Sequence, residues 1–291
     1  MGQINMIELF KDLGEDEANS YALTLSAYNI SHRVIKERSG GLSLYVDEWN
    51  HEKALDIIKR YIEENRSINH TDLGPKDEYG KTFTGLWAAT ILLVCYTVVV
   101  ACNQNESIIR TYGSSASHIL RGELYRTATS LMLHTNALHL AGNMVGIALF
   151  GTAVCSVAGW GVGWVMILAS GIIGNTANAF LYRAGHLSIG ASTAVFGAIG
   201  ILCAQQFLKK MRSRGYRMKA WLPLGGGLAL LGILGSGENS DIMAHLFGFV
   251  AGISLGGFYA LLIKKPAKKA WQFVCFIAVL IVLVVAWMVP I

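Results

Sequence analysis

Seven long apolar stretches follow one another beyond Lys81, and they constrain the fold more than any other feature of the sequence. They lie at about 82–102, 137–157, 160–182, 192–208, 220–236, 242–263 and 270–290. A bilayer core about 30 Å thick needs roughly 20 helical residues, so these stretches have the length of transmembrane helices. The stretches at 192–208 and 220–236 are the shortest. Either of these two helices could therefore begin below the membrane surface. The sequence therefore predicts an all-α polytopic membrane domain.

The first 80 residues have a different character. Fifteen of the 19 acidic residues lie before Lys81, in a chain that is 53% hydrophobic and only 15% charged. Alternating and helical apolar spacings predict a small α+β domain of order βαββα. Its elements are expected at 4–10, 18–25, 32–37, 42–46 and 54–62, with a turn at 39–41 and Asp47 as the cap of the last helix. We therefore expect a soluble cytosolic domain at 1–65, a linker at 66–81 and the transmembrane domain at 82–291.

The basic residues predict how the spans are oriented. Six of them lie in 209–219 and four in 264–269, and both segments connect spans on the same side as the soluble domain. Because basic loops stay in the cytoplasm, that side is expected to be cytoplasmic. The chain is then a multi-pass protein of the inner (plasma) membrane, with 103–136, 183–191 and 237–241 facing outward.

A few polar side chains lie inside these apolar stretches, where they are costly. Ser192 begins the fourth span, and His245 lies about one turn into the sixth. His139 and Asn143, four residues apart, share one face at the start of the second span. Taken singly, each has an ordinary interpretation as a back-bonded hydroxyl or an interfacial histidine. All three spans begin on the outward side, however, so these groups can meet at a similar depth.

Small residues allow the serine and the histidine to approach each other. Gly248, Gly252 and Gly256 form a stripe below His245, and such stripes let helix backbones pack closely. A positioned imidazole can then remove the proton that makes a serine hydroxyl a weak nucleophile.

Donors for the negative charge of an acyl-transfer intermediate are also at hand. Asn143, His139 and backbone N–H groups at the start of the fourth helix can supply them. Asp241, one turn before His245, is the nearest carboxylate in sequence. Its setting is typical of a helix cap, so a Ser-His dyad is favoured over a triad.

Four motifs carry a family resemblance: GELYR at 122–126, HTNALHLAGN at 134–143, GAST at 190–193 and AHLFGFVAG at 244–252. In this order and spacing, the chain from about 82 to 290 resembles the rhomboid intramembrane serine proteases. The resemblance implies a six-helix core plus a seventh, C-terminal transmembrane helix. The first 65 residues resemble the cytosolic domain of a bacterial rhomboid.

The resemblance also implies residue roles. Ser192 would be the nucleophile and His245 the general base. His139, Asn143 and the backbone N–H of Ser192 would line the oxyanion hole. Supporting positions follow from the same motifs: Phe196 packing on the imidazole, His134 positioning the first loop, and Gly190, Gly248, Gly252 and Arg126.

Two positions depart from the family pattern. Thr193 stands where glycine usually follows the nucleophile, so we expect its side chain to crowd the oxyanion hole and to tune rate or substrate choice. Tyr125 replaces the more frequent tryptophan of the first loop.

The function expected is that of a serine endopeptidase that cleaves transmembrane segments of membrane proteins within the lipid bilayer. No cofactor, metal or nucleic-acid partner is predicted. The sequence does not decide between a monomer and a homodimer. One alternative is a catalytically inactive rhomboid-like protein that binds transmembrane clients. A transporter would spread ionisable groups through the bilayer depth, whereas here they cluster near one face. A zinc hydrolase using His134, His139 and His245 would lack the HExxH helix that such enzymes use.

Overall fold

The computed structural model describes residues 6–37, 41–65, 82–103, 105–212, 218–235, 240–263 and 267–289. The chain divides into two compact units, Met1–Gly74 and Pro75–Ile291. The predicted linker at 66–81 and most of the predicted turn at 39–41 lie outside the described residues.

The N-terminal unit is a small sheet with two helices. Its elements run in the order β1 (Met6–Leu13), α1 (Glu15–Ala27), β2 (His32–Lys36), β3 (Leu42–Asp47) and α2 (His51–Asn65). The strand order is β1-β3-β2 and both pairings are antiparallel. Leu25, Leu44, Val46 and Ile58 are fully buried between the sheet and the helices. Burial of such side chains contributes about 1.5–3 kcal/mol each, which makes this core the main stabilising feature of the unit.

The second helix starts later than the sequence predicts. Asp47 was expected to cap it, but residues 48–50 form a 3₁₀ turn and α2 begins at His51. The Asp47 side chain makes no capping hydrogen bond and instead accepts one from the Trp49 indole at 3.4 Å. The expected cap at Asp47 is therefore wrong: its carboxylate engages a neighbouring side chain.

The second unit is almost entirely helical. Its helices are α3 (Thr84–Ala101), α4 (Asn105–Tyr112), α5 (Ala116–Leu120), α6 (Arg126–Thr129), α7 (Ala137–Gly146), α8 (Thr152–Ala158), α9 (Trp160–Tyr182), α10 (Ser192–Arg212), α11 (Leu222–Leu234), α12 (Ile242–Leu262) and α13 (Lys269–Met288). A π-helical turn at Ile147–Gly151 joins α7 and α8 into one continuous helix. Two short strands, β4 (Ser114–Ser115) and β5 (Leu187–Ser188), pair antiparallel.

Five helices in the described part of the chain are long and apolar enough to cross a membrane: α3, the continuous helix α7–α8, α9, α12 and α13. Together they indicate a multi-pass membrane protein. Helix α10 has 21 residues but ends on Lys209, Lys210 and Arg212, and α11 has only 13 residues. The seven spans expected from the sequence thus include two helices that fall outside this group, and the full count stays a prediction.

Helix α10 is the centre of the helical unit and packs against both α9 and α12. Its contact with α12 runs along glycines, as the sequence predicts. A Cβ atom added at Gly252 would collide with the backbone carbonyl of Gly197. One added at Gly256 would lie 2.7 Å from both the Cα and the carbonyl oxygen of Ile201. Since backbone cannot move aside as a side chain can, these positions fix the separation of the two helices.

Helix α13 docks on α9 through one buried polar side chain. Gln272 is only 1% exposed, and its carbonyl oxygen accepts hydrogen bonds from the N–H groups of Gly161 at 2.7 Å and Val162 at 2.9 Å. Its amide donates to the carbonyl of Ala158 at 3.2 Å. Gly159, at φ 89°, makes the break between α8 and α9. Gln272 therefore satisfies backbone groups on both sides of that break, which would otherwise be unpaired.

The glycine contact between α10 and α12 can be tested with two adjacent residues. We expect Gly256→Ala to lower the free energy of unfolding by about 1–3 kcal/mol, because the new methyl group overpacks a backbone contact. Gly257→Ala is the matched control: a Cβ atom there meets nothing within 4 Å, and alanine favours the helix. Denaturant titration of the purified protein in micelles gives both values. Equal stability of the two variants would contradict close packing at Gly256.

Candidate active site

Ser192 and His245 meet at the top of the contact between α10 and α12. Ser192 is the first residue of α10 and is half-buried, and His245 lies in the first turn of α12 and is 5% exposed. The Ser192 Oγ and the His245 Nε2 are 2.7 Å apart, which is hydrogen-bond distance. With the proton on Oγ and a lone pair on Nε2, this is the geometry in which imidazole can deprotonate the hydroxyl.

An aromatic ring holds the imidazole from one side. Phe196 lies one turn after Ser192 on α10, and its ring centroid is 4.9 Å from that of His245, with 31° between the planes. On another side, a Cβ atom added at Gly235 would lie 3.3 Å from the His245 Nδ1. The imidazole is thus confined by packing as well as by the serine.

Helix packing explains why the two side chains come so close. Gly248, one turn after His245, faces Thr193 so tightly that an added Cβ atom would collide with the Thr193 carbonyl. Gly174 of α9 faces the same point, and a Cβ atom there would lie 2.8 Å from the backbone nitrogen of Gly248. Three backbones therefore converge directly behind Ser192.

The methyl group of Thr193 packs between α9 and α12. Thr193 is 2% exposed, and its Cγ2 lies 2.6 Å from the Cβ position of Gly174 and 2.9 Å from that of Gly248. The methyl group fills space that the two glycines leave open between α9 and α12. The methyl group of Thr193 therefore belongs to the helix interface, and the expected crowding of the oxyanion hole stays a prediction.

His139 and Asn143 converge on the loop that leads into Ser192. Gly190 has φ +129°, and a Cβ atom there would lie 2.7 Å from the His139 Nε2 and 3.5 Å from the Asn143 Nδ2. The Asn136 side chain caps α7 by accepting from the His139 N–H at 2.8 Å, which fixes where the helix begins. Asn143 is buried, and within the described residues its Nδ2 has no hydrogen-bond partner. It is thus a free donor beside Gly190, two residues before Ser192.

His134 belongs to the same motif and lies beside His139. It is 5% exposed and its ring packs edge-on against His139, with centroids 5.2 Å apart. Burial lowers the pKa of His134 to about 4, and the neighbouring His139 imidazole acts in the same direction. A neutral, buried His134 therefore supports His139 by packing.

Arg126 organises the first loop and does not touch the Ser-His pair. Its guanidinium binds the carboxylate of Glu123 at 2.7 Å and donates to the carbonyls of Arg110 at 2.7 Å and Gly113 at 3.2 Å. The Tyr125 hydroxyl donates to the same Glu123 carboxylate at 3.0 Å. The GELYR segment is thus a hydrogen-bonded hub that fixes the loop between α3 and α7.

Asp241 caps α12, and in the described part of the chain its carboxylate makes no hydrogen bond to the His245 imidazole. One carboxylate oxygen accepts from the Ala244 N–H at 3.1 Å, as the sequence predicts for a helix cap. The other contacts Asn178 and His186, each at 2.6 Å. Sequence reasoning missed both partners, since Asn178 reads as one polar residue in an apolar span and His186 as a loop residue. No signal in a single sequence joins them to Asp241.

Comparison with known proteins gives a family match over this part of the chain. The family model described as the rhomboid domain matches residues 121–262, a range that contains the first-loop hub, both oxyanion candidates and the Ser-His pair. The chain therefore contains a rhomboid domain.

The relatives of this rhomboid include proteases and an inactive protein. It is 28% identical over 201 residues to Rhomboid-like protease 1 of Toxoplasma gondii, covering 68% of this chain and 69% of that one. It is 30% identical to Rhomboid protease GluP of Bacillus subtilis, covering 60% of this chain but only 35% of GluP. It is also 31% identical to Inactive rhomboid protein 2 of Homo sapiens, over 46% of this chain and 15% of that protein. Family membership alone therefore leaves activity open.

The rhomboid unit should lose stability in mild acid through His134. The unfolded chain protonates this histidine near pH 6.5, whereas the folded protein does so only near pH 4. The free energy of unfolding should therefore fall as the pH decreases from about 6.5 to 4, with this residue contributing at most about 1.4 kcal/mol per pH unit.

Denaturant titrations across this range check that expectation. The decline should become shallower in His134→Gln and should stay unchanged in His118→Gln, a control in the first loop. An equally steep decline in His134→Gln would show that His134 is not the group responsible.

Proposed function

We propose that this protein is an active intramembrane serine endopeptidase that uses Ser192 as nucleophile and His245 as general base. The observation that carries the proposal is the 2.7 Å contact between the Ser192 Oγ and the His245 Nε2. Family members that are named proteases support the reaction class.

The reaction starts when the Ser192 Oγ attacks the scissile carbonyl carbon. The hydroxyl proton passes to the His245 Nε2 as the new C–O bond forms. His245 then donates that proton to the nitrogen of the leaving amine, and the C–N bond breaks to give an acyl-enzyme. Water, deprotonated in turn by His245, attacks the acyl carbon. The bond between that carbon and the Ser192 Oγ then breaks as His245 returns the proton to Oγ, which releases the carboxylic acid product and restores Ser192. Ser192 is only half-buried, which leaves room for that water.

The negative oxygen of each tetrahedral intermediate needs preorganised donors. In the proposed mechanism the Asn143 Nδ2 provides one, because it is buried and unpaired within the described residues. The His139 Nε2 lies on the same side of Gly190, and the Ser192 N–H is a third donor. Charge is then stabilised by groups that do not have to rearrange during the reaction.

The substrates proposed are transmembrane segments of other membrane proteins. The scissile carbonyl of a helix is held by intrahelical hydrogen bonds, so the substrate must unwind locally to reach Ser192. We further propose the rhomboid arrangement of six core helices plus the C-terminal α13, and an inner-membrane orientation with the N-terminal domain in the cytoplasm. The pair of Ser192 and His245 would then open toward the outer side.

The alternative is an inactive rhomboid-like protein that binds transmembrane clients, as the name of one relative suggests for that relative. The hydrogen-bonded Ser-His pair argues for the enzyme, because client binding gives no reason for an imidazole to face a hydroxyl. Covalent labelling of Ser192 separates the two functions directly.

Replacing either member of the pair should abolish activity. We expect Ser192→Ala and His245→Ala to reduce cleavage of a transmembrane substrate in liposomes by about 10³-fold or more. A fluorophosphonate should label the parent protein at Ser192 and should fail to label either variant. Ser254→Ala is the matched control, because within the described residues the hydroxyl of this serine bonds its own helix, at the carbonyl of Val250. Full activity of Ser192→Ala would disprove the proposal.

The approach of Gly190 to the oxyanion donors gives a second test. Gly190→Ala would push a methyl group against His139 and Asn143, so we expect turnover to fall by about 10- to 100-fold while substrate still binds. Gly185→Ala is the control: Gly185 also has a positive φ, of 73°, but a Cβ atom there meets nothing within 4 Å. Steady-state kinetics on both variants checks this. If both lose activity equally, backbone strain in the loop is the cause and contact with the donors is not.

A further inference from the structure

A second polar cluster lies near Ser192 and His245 and takes no part in the proposed chemistry. The His186 Nε2 and the Asp241 Oδ2 are 2.6 Å apart, and the Asn178 amide donates to the same oxygen at 2.6 Å. The Tyr182 ring stacks on the His186 imidazole, with 3.9 Å between centroids and 13° between planes. The side chains of His186 and Asp241 are only 24% and 11% exposed, so the contact is largely shielded from water.

His186 belongs to the segment that delivers Ser192. Its backbone carbonyl accepts from the Ala116 N–H at 3.0 Å, and the next two residues form strand β5 against β4 of the first loop. The Gly190 N–H then donates to the carbonyl of Ser130 at 2.9 Å. Residues 186–190 are therefore anchored continuously to the first loop before the chain enters α10.

Asp241 belongs to the turn that delivers His245. Its side chain caps α12 at the Ala244 N–H, and its backbone carbonyl accepts from the His245 N–H at 3.1 Å. Although burial opposes ionisation, hydrogen bonds from His186 and from the Ala244 N–H hold the pKa of Asp241 below its usual value. The carboxylate is therefore charged at neutral pH, and it accepts hydrogen bonds both from His186 and from the Ala244 N–H.

We propose that His186 and Asp241 are positioning residues that hold the Ser192 loop and the first turn of α12 in register. This inference rests on the proposed function, since it concerns the alignment of the same Ser-His pair. The glycine contacts set the separation of α10 and α12 below the pair, and the His186–Asp241 contact ties the segments together above it. A displacement of about 1 Å can cost about 100-fold in rate, so a second tether has a function to serve.

The direction of the hydrogen bond follows from its chemistry. A carboxylate can only accept, so the proton of the contact lies on the His186 Nε2. Both the neutral imidazole and the imidazolium can donate from that atom. The tether therefore needs an N–H donor at position 186 and an acceptor at position 241, and does not need a charged histidine.

The test uses the rate at which a fluorophosphonate labels Ser192 in the full-length protein in micelles. This small probe reports the alignment of Ser192 and His245 without substrate unwinding. We expect His186→Ala and Asp241→Asn each to slow labelling by about 10- to 100-fold. Asparagine remains a good helix cap, so Asp241→Asn keeps the oxygen that caps α12. It replaces the other carboxylate oxygen, which accepts from His186, with an NH₂ group that cannot accept. The double variant should be no slower than either single one, because both changes remove one interaction.

Two further variants separate positioning from general damage. His186→Gln keeps an N–H donor and should recover most of the lost rate. His118→Ala removes a first-loop histidine that contacts Ser115 and should leave the rate unchanged. In cleavage assays, the loss in His186→Ala should appear in kcat with little change in KM, measured per folded molecule.

Each outcome decides the inference. Parental labelling rates in both His186→Ala and Asp241→Asn would overturn it, as would losses that only follow a smaller folded fraction. Multiplying losses in the double variant would overturn it as well, since the residues would then act independently. Failure of the proposed function has a different signature: the parent protein itself would not label at Ser192, whatever stands at positions 186 and 241.

Discussion

The close approach of α10 to α12 is the constraint on which the rest of the helical unit depends. Gly248, Gly252 and Gly256 remove the side chains that would hold the two backbones apart, and neighbouring carbonyls occupy the space. Van der Waals contact of this kind is the main source of helix association in a bilayer, where burial of apolar surface gains little. Because Ser192 and His245 lie at one end of that contact, the same packing sets the distance between them.

Much of this architecture could be predicted from the sequence because hydropathy and helix periodicity are local properties. The predicted bounds of α9 and the start of α7–α8 agree with the structure, and the sequence also brings Ser192 toward His245 through the glycine stripe. Helix α10 extends further than expected, to Arg212, since basic side chains can continue a helix beyond the apolar stretch.

The sequence could not predict contacts between residues far apart along the chain. The direction of the Thr193 side chain depends on Gly174, a glycine of another helix. The link from Asp241 to His186 spans 55 residues, and neither residue type specifies the other. Such polar contacts are decided by tertiary geometry, whereas the cap at Asp241 is local and was predicted.

The role of Gln272 bears on how the bundle is assembled during synthesis. Its carbonyl oxygen accepts from Gly161, a residue made 111 positions earlier in the chain. When α8 and α9 first enter the bilayer, the amides at their junction therefore have no protein acceptor from α13. Helix α13 is synthesised after α8 and α9, so the backbone groups at their junction gain Gln272 as a partner only once these earlier helices have been made.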